Sequence, residues 1–259
     1  MNRMSFGRCL GHACAGFFKY SLRRASVLLM VAGIGAGVNT SVRASSSVIY
    51  TGSLLSSNLS ASATFTDLGG GDLQITLVNT YTGDTVDQSH VLTALFFTCA
   101  TGLTPVSAVA APGSFQWVAG TSTAVGGEDI GANWQYISGT GISSSGFGLF
   151  SSGNFPPSPG ATLDGSAWGL VSAGYEGLHL DGLDSRTYIQ DAVVFTLSGF
   201  SGNLSDICNV SFQYGTALTD PNVTAIAVPE PASIALVAVS LGFMLALCLR
   251  VQRQTCDAA

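Results

Sequence analysis

The hydrophobic pattern in the middle of the chain predicts short β-strands separated by glycine-rich turns. Residues 73–78 alternate imperfectly between apolar and polar side chains, and a glycine-rich stretch at 67–72 separates them from a shorter run at 62–65. Two such runs around a glycine-rich turn predict a β-hairpin. Residues 90–97 are almost continuously apolar, which is typical of a strand that is buried on both faces.

Later strands follow the same pattern and indicate an all-β fold class. Residues 192–197 form an apolar run, and residues 208–214 alternate cleanly. No window of ten or more residues has a convincing helical period, and many short strands with glycine-rich turns indicate a sandwich or a barrel. We therefore predict a single jelly-roll-like β-sandwich domain over residues 45–227. Residues 139–160 are predicted to be a long surface loop or a short irregular segment.

The first 44 residues have the pattern of an N-terminal signal helix. Five basic residues precede an apolar run at 25–38, and a V-x-A triplet ends at Ala44. Together these features indicate a secretory signal peptide that directs the chain through the translocon. Signal peptidase is expected to cleave it after Ala44. The alternative is a retained membrane anchor. Its fourteen apolar residues are short of the roughly 20 that span a bilayer.

The end of the chain, residues 228–259, has the pattern of a membrane-anchoring tail. Residues 232–249 carry no charge, and this run is long enough for a slightly short transmembrane helix. Two prolines before the run end any structure that continues from the domain, and two arginines after it favour a cytoplasmic end. The residues that define the tail are Val228, Pro229, Glu230 and Pro231 before the helix and Arg250 and Arg253 after it. Taken alone, this order also fits an ordinary tail anchor.

The order of Pro-Glu-Pro motif (228–233), apolar helix and short basic end (250–253) closely resembles the PEP-CTERM sorting signal. In that family the signal is recognised by exosortase, a membrane-embedded cysteine protease similar to transpeptidases, in bacteria that make extracellular polysaccharide. The resemblance implies an inner-membrane intermediate that exosortase processes, followed by a place at the cell surface or in the extracellular matrix. The implied role is structural or adhesive in a polysaccharide setting.

The predicted domain is strongly acidic. Arg186 is its one Lys or Arg residue, against thirteen Asp and Glu residues, so its net charge is about −12. A domain of this charge repels phosphate backbones, which argues against nucleic acid as a partner. The same charge attracts divalent cations or cationic partners.

The domain keeps two of the six cysteines, Cys99 and Cys208, each at the end of a predicted strand. An oxidising compartment outside the cytoplasm favours a disulfide between them. Closure of such a long loop would contribute up to about 4 kcal/mol to stability in the chain-entropy account. The alternative is two buried thiols.

Candidate catalytic and metal-binding residues are few. The domain has two histidines, His90 and His179, and because no G-x-S-x-G motif accompanies them we interpret both as structural. The zinc patterns H-E-x-x-H and C-x-x-C are missing from the sequence. Calcium is a better candidate, although acids beside glycine are also typical of turns. The acidic pairs are Asp67 and Asp72, Asp84 and Asp87, Glu128 and Asp129, and Asp181 and Asp184. We assign no metal site and no cofactor.

The tryptophans leave a second functional hypothesis open. Trp117, Trp134 and Trp168, with Tyr136 and Tyr175, could form a platform for sugar rings on a lectin-like module that binds exopolysaccharide. The alternative is that they are core or half-buried residues. A secreted hydrolase with two carboxylates is a further alternative. We predict a protein without enzymatic activity.

Overall fold

The computed structural model describes residues 45–99, 102–150, 153–156, 163, 165–177, 183 and 185–228. All of these residues belong to one compact unit. Within them the chain forms β-strands and short 3-10 helices and contains no α-helix, so the prediction of an all-β domain is confirmed. The predicted signal helix at 1–44 and the membrane helix at 232–249 lie outside the described residues.

The described residues form fifteen strands and four 3-10 helices. The strands are β1 (Ser46–Leu54), β2 (Leu59–Gly69), β3 (Asp72–Asn79), β4 (Leu92–Thr98), β5 (Thr104–Ala110), β6 (Phe115–Val118), β7 (Thr121–Ala124), β8 (Gln135–Ile137), β9 (Gly141–Ser143), β10 (Leu170–Val171), β11 (Thr187–Gln190), β12 (Ala192–Ser198), β13 (Cys208–Tyr214), β14 (Asn222–Thr224) and β15 (Ile226–Val228). The 3-10 helices are Leu55–Ser57, Gln88–His90, Gly131–Asn133 and Leu204–Asp206.

The strands form two sheets. The first sheet has six strands in the order β15-β1-β2-β3-β12-β5. The second has nine strands, with the path β14-β13-β4-β10-β11-β6-β7, and β9 pairs with both β4 and β8. All pairs are antiparallel except β10 with β11, which are parallel. This arrangement of two sheets gives the domain a sandwich-like architecture.

The predicted hairpin is the pair β2 and β3, in which Phe65 lies opposite Ile75. Its turn needs glycine, because Gly70 and Gly71 adopt φ values of 69° and 96°. The carboxylate of Asp67 accepts a hydrogen bond of 2.8 Å from the backbone N–H of Gly69, which fixes the start of the turn. The alternation of the sequence thus sets the register of this pair.

The other predicted strands are also present, with one shift of boundary. β4 is buried along most of its length, and β12 and β13 cover the predicted runs. β4 begins at Leu92 rather than His90, because Gln88–His90 forms a 3-10 helix. The side chain of Asp87 caps that helix by accepting a hydrogen bond of 2.7 Å from the backbone N–H of Ser89.

The prediction for residues 139–160 is wrong in its first part. After a turn at residues 139–140, the segment forms β9, which is fully buried against β4, and Ser143 is 0% exposed. Its hydroxyl lies within hydrogen-bond distance of two carbonyl oxygens, at 3.0 Å from Thr93 and 2.6 Å from Ser145. Because these serines satisfy their hydrogen bonds inside the domain, their polarity does not place them at the surface.

A single large core lies between the inner faces of the two sheets. β2 shows the alternation most clearly, with every second residue from Leu59 to Phe65 buried. The first sheet contributes Phe65 and Phe195, and the second contributes Phe97 and Phe212, all at most 2% exposed. Phe65 and Phe97 pack edge to face across the core, with their ring centroids 5.3 Å apart.

The last described segment joins the two sheets. β14 belongs to the second sheet and β15 to the first, with only Ala225 between them. Ala225 packs against the core, and its N–H donates a hydrogen bond of 2.9 Å to the carbonyl of Val210. Residues 222–228 therefore close one side of the sandwich as a crossing strand.

We expect Phe195→Ala to lower the free energy of unfolding by about 3–5 kcal/mol, because it leaves a cavity between two aromatic rings. The ring of Phe195 lies 5.1 Å from Trp134 and 5.2 Å from Phe155. Phe115→Ala is the matched control, since Phe115 is 43% exposed on β6, and it should cost less than about 1 kcal/mol. Denaturant unfolding of the full chain in mild detergent measures both, and equal losses would contradict the core assignment.

Candidate functional site

The outer face of the first sheet presents a continuous row of β-branched side chains. Neighbouring strands pair residue to residue across all six strands, in the order Val228, Ile49, Thr64, Thr76, Val194 and Val109. Adjacent strands lie about 4.8 Å apart, so the row is roughly 24 Å long. Its members point away from the core because the residues on either side of them, such as Phe65 and Phe195, point inward.

A second row beside the first carries hydroxyl and amide groups. Its members, again paired strand to strand, are Ser47, Thr66, Gln74, Thr196 and Ser107. Neither row contains a charged residue, although the domain as a whole is acidic. We call these two rows the outer face. The sequence signal for it is the alternation of Ser and Thr with apolar residues in β2, but the long-range pairing is what joins the strands.

Two open clefts adjoin the crossing strand, and Thr224 lines both of them. One, of about 420 Å³, is also lined by Thr51, Ser60 and Ile226. The other, of about 550 Å³, is also lined by Tyr50, Cys208 and Asn209. The residues that line these two clefts include no carboxylate and no histidine. Hydrolytic chemistry would therefore need residues outside both of them.

The second cleft brings a thiol, a phenol and an amide together. The Sγ of Cys208 lies 2.9 Å from the hydroxyl of Thr98, and that hydroxyl accepts a hydrogen bond of 3.1 Å from the amide of Asn209. Asn209 has a φ of 54°, in the left-handed region, where the register of β13 against β4 shifts. The Tyr50 hydroxyl donates to the carbonyl of Ile207 at 2.7 Å. Burial, and then the nearby Cys208, raise the pKa of Tyr50 above its ordinary value.

The predicted disulfide is absent from this structure, which has both cysteines as thiols. Cys208 is paired in the ladder with Thr98, the residue before Cys99. Because successive residues of an extended chain point to opposite faces, the side chain of Cys99 points away from the face that Thr98 and Cys208 share. Cys99 packs against the core, whereas Cys208 is exposed. Cys208 is the first residue of β13, and Cys99 directly follows the last residue of β4.

The three tryptophans do not form one platform. Trp134 is 0% exposed in the core, so it is unavailable to a glycan. Trp168 is half-buried against the same core. Trp117 packs instead on a smaller cluster that includes Tyr175, at 5.3 Å and edge to face. The hydrophobic pattern alone could not separate these three environments.

A glutamine that sequence reasoning missed holds Trp117 in place. The Oε1 atom of Gln190 accepts a hydrogen bond of 2.9 Å from the indole N–H of Trp117. The Nε2 atom of Gln190 donates to the carbonyl oxygens of Ala173 at 2.9 Å and Ser172 at 3.2 Å. Gln190 thus ties the aromatic cluster to the neighbouring loop. This role is structural, and nothing in the spacing of the sequence points to it.

The acidic residues that the structure describes mostly organise turns. Asp87 lies 3.3 Å from the Nδ1 of His90, and Asp129 accepts a hydrogen bond of 2.8 Å from the backbone N–H of Gly131. Asp84 accepts one of 3.3 Å from the backbone N–H of Glu176. No group of three His, Cys, Asp or Glu side chains in the described part of the chain is arranged to hold a metal ion. His179, Asp181 and Asp184 lie outside the described residues.

Of the predicted sorting residues, the structure describes Val228 alone. Val228 is the last residue of β15 and pairs with Ile49, so the sheet continues one residue past the predicted domain boundary at 227. Ala44, Pro229, Glu230, Pro231, Arg250 and Arg253 lie outside the described residues. Among the residues that are described, no helix has the length and apolar character needed to cross a membrane.

Comparison with known proteins finds no family model, no curated protein and no solved structure that matches the chain.

Tyr50 and Tyr214 provide a matched test of the hydrogen bonding of tyrosine hydroxyls in the domain. We expect Tyr50→Phe to lower the free energy of unfolding by about 1 kcal/mol at neutral pH, because the carbonyl of Ile207 loses its donor. The buried hydroxyl of Tyr214 has no hydrogen-bond partner among the described residues, so Tyr214→Phe should be neutral or stabilising. Denaturant unfolding of both variants in parallel measures the difference. A larger loss for Tyr214→Phe would contradict these environments.

The contribution of Tyr50 and Tyr214 to the free energy of unfolding depends on pH in a defined direction. Burial raises the pKa of Tyr214, as burial and then Cys208 raise that of Tyr50, above the ordinary value of 10.0. A pKa raised in the folded state gives stability that is complete below pH 10.0 and is lost as the pH rises through the folded-state value. Each Tyr→Phe variant should therefore lose less stability than the parent between neutral and strongly alkaline pH.

Proposed function

We propose that the protein is an exported surface or extracellular-matrix protein that exosortase processes at a C-terminal Pro-Glu-Pro motif. The observation that carries this proposal is the position of β15 directly before the Pro-Glu-Pro residues. β15 pairs with β1 up to Val228, and the next residue is Pro229. Proline has no N–H to donate to a ladder, so a sheet can gain no further hydrogen bond from the residue that follows Val228.

The position of the Pro-Glu-Pro residues directly after the crossing strand suits removal of the tail by a protease. The crossing strand, residues 222–228, contributes an edge strand to both sheets, and Pro229, Glu230 and Pro231 of the sorting motif come directly after it. A cut after Val228 would leave every described strand in the released part. The domain would therefore keep its core when the tail is removed.

We expect Glu230→Ala to leave the protein in the inner membrane, because the recognition motif loses its carboxylate. Fractionation of cells that carry exosortase measures the share of protein reaching the surface. Glu128→Ala is the matched control, since Glu128 is an exposed glutamate within the domain, and it should be delivered normally. Unchanged surface delivery of Glu230→Ala, and of a variant that replaces all of Pro229, Glu230 and Pro231, would contradict the proposal.

The outer face favours an adhesive role toward neutral polysaccharide. Its rows offer hydroxyl groups from Thr64, Thr66 and Thr76 beside methyl groups, and no charge. Sugar chains present the same mixture of hydroxyl and C–H groups, whereas the acidic turns of the domain repel anionic polymers. The three tryptophans do not support a lectin-like site of the predicted kind, because Trp134 is buried.

We expect Thr76→Lys to weaken retention on the polysaccharide of the producing cells by about tenfold, or about 1.4 kcal/mol. The long side chain would cover neighbouring hydroxyls in the centre of the outer face. Thr123→Lys is the matched control, since Thr123 is exposed on β7 at the edge of the other sheet. Affinity chromatography with that polysaccharide, and with neutral dextran, gives the measurement. Equal retention of both variants would exclude the outer face as the contact.

A further inference from the structure

The first cleft opens at the edge of the first sheet, where the crossing strand leaves β1. β15 pairs with only three residues of β1, the last of which is Thr51, whereas β1 continues to Leu54. The crossing strand instead approaches the inner side of β1, because a Cβ atom on Gly52 would lie 3.0 Å from the Phe212 ring and 3.1 Å from the Thr224 carbonyl oxygen. The outer side of β1 is therefore left open beyond Thr51, and the cleft lies there.

The lining of the first cleft is rich in hydroxyl groups. The described residues that line it include no charged and no aromatic side chain. Its five hydroxyls belong to Thr51, Ser53, Ser60, Thr80 and Thr224. Alternation keeps Thr51 and Ser53 on the outer side of β1, and Ser60 lies opposite Ser53 in the ladder with β2. Ile226, which is 72% exposed, adds an apolar wall beside Thr51.

The five hydroxyls of the first cleft are available to a ligand. Within the described part of the chain, no side-chain hydrogen bond engages any of them. In the second cleft, by contrast, the Tyr50 hydroxyl already donates to the Ile207 carbonyl. Hydroxyls beside an apolar wall suit a ligand that offers hydroxyl and C–H groups, and the charge of the domain disfavours an anionic ligand.

The first cleft is continuous with the outer face. Thr51 lies two residues beyond Ile49 on the same side of β1, and Ser62 of β2 lies opposite Thr51. The cleft volume of about 420 Å³ is near the lower end of the range for small-molecule sites, about 300–1,000 Å³. It therefore suits a short segment of a sugar chain, while the rest of that chain lies along the outer face.

We infer, on the premise of the proposed polysaccharide contact, that the first cleft is a subsite for the end of a neutral polysaccharide chain. The five hydroxyls exchange hydrogen bonds with the terminal sugars, and Ile226 packs against their C–H groups. The rows of the outer face then contact the sugars that follow.

Short neutral oligosaccharides, prepared by partial acid hydrolysis of the polysaccharide of the producing cells, are the probe for this subsite. Isothermal titration calorimetry measures their affinity for the full-length protein in a detergent without a sugar headgroup. The cleft variant, Thr51→Val with Ser60→Ala, removes two hydroxyls and keeps the shape of the strands. Thr121→Val with Ser122→Ala is the matched control, since both residues are exposed on β7 of the other sheet. Near-ultraviolet circular dichroism checks that both variants fold as the parent does.

The cleft variant should bind the oligosaccharides about twentyfold more weakly than the parent, because each lost hydrogen bond lowers affinity about fivefold, whereas the control should bind as the parent does. Equal affinity of the cleft variant and the parent would overturn the subsite, as would a parent that retains the whole polysaccharide but not the oligosaccharides. In both cases a weaker retention of Thr76→Lys would leave the outer-face contact standing. A parent that binds neither the oligosaccharides nor the polysaccharide would overturn the subsite and the outer-face contact together.

Discussion

Burial of aromatic rings between the two sheets is the interaction on which the rest of the structure depends. Phe65 and Phe195 enter the core from one sheet and Phe212 from the other, each fully buried. Because strand residues alternate between faces, every ring held inward fixes its neighbours outward. The outer face follows from this constraint, since Thr64 and Val194 adjoin Phe65 and Phe195 in sequence.

The charged side chains of the domain lie mainly outside the faces of the sheets. Most described carboxylates lie at turns and strand ends, where they accept backbone hydrogen bonds, as Asp67 does from Gly69 and Asp87 from Ser89. The outer face can therefore be uncharged on a strongly acidic domain. An uncharged face and acidic turns together favour neutral partners over anionic ones. In the proposed pathway, the tail determines where the domain goes and the outer face determines what it contacts.

Much of the fold could be predicted from the sequence because it depends on local signals. The β2–β3 hairpin is specified by alternation and by a glycine-rich turn, and β13 by alternation alone. The buried β9 could not be predicted, since its serines find hydrogen-bond partners such as Thr93 that are distant in sequence. The hydrophobic pattern also treats all aromatic residues alike, so it could not show that Trp134 is buried in the core while Trp117 lies on a satellite cluster.

The candidate sites differ in the same way, since one depends on a local sequence motif and the other on pairing between distant strands. The tail is a contiguous motif, so the sequence predicts it directly, and the structure adds that the sheet runs up to its first residue, Val228. The outer face depends on pairing between strands up to about 180 residues apart, such as β15 with β1, which no local pattern encodes. Pairing of this kind also decides that Cys208 faces Thr98 rather than Cys99.

We propose that the folded sandwich is released from its tail after β15, the last strand of the described residues. Intact-mass and peptide mass spectrometry of the protein recovered from the cell surface tests it most directly. We predict a chain that begins at Ser45, retains residues 222–228 and lacks every peptide from 232–259. A surface protein that still carries its arginine-containing end, Arg250 to Ala259, would contradict the account.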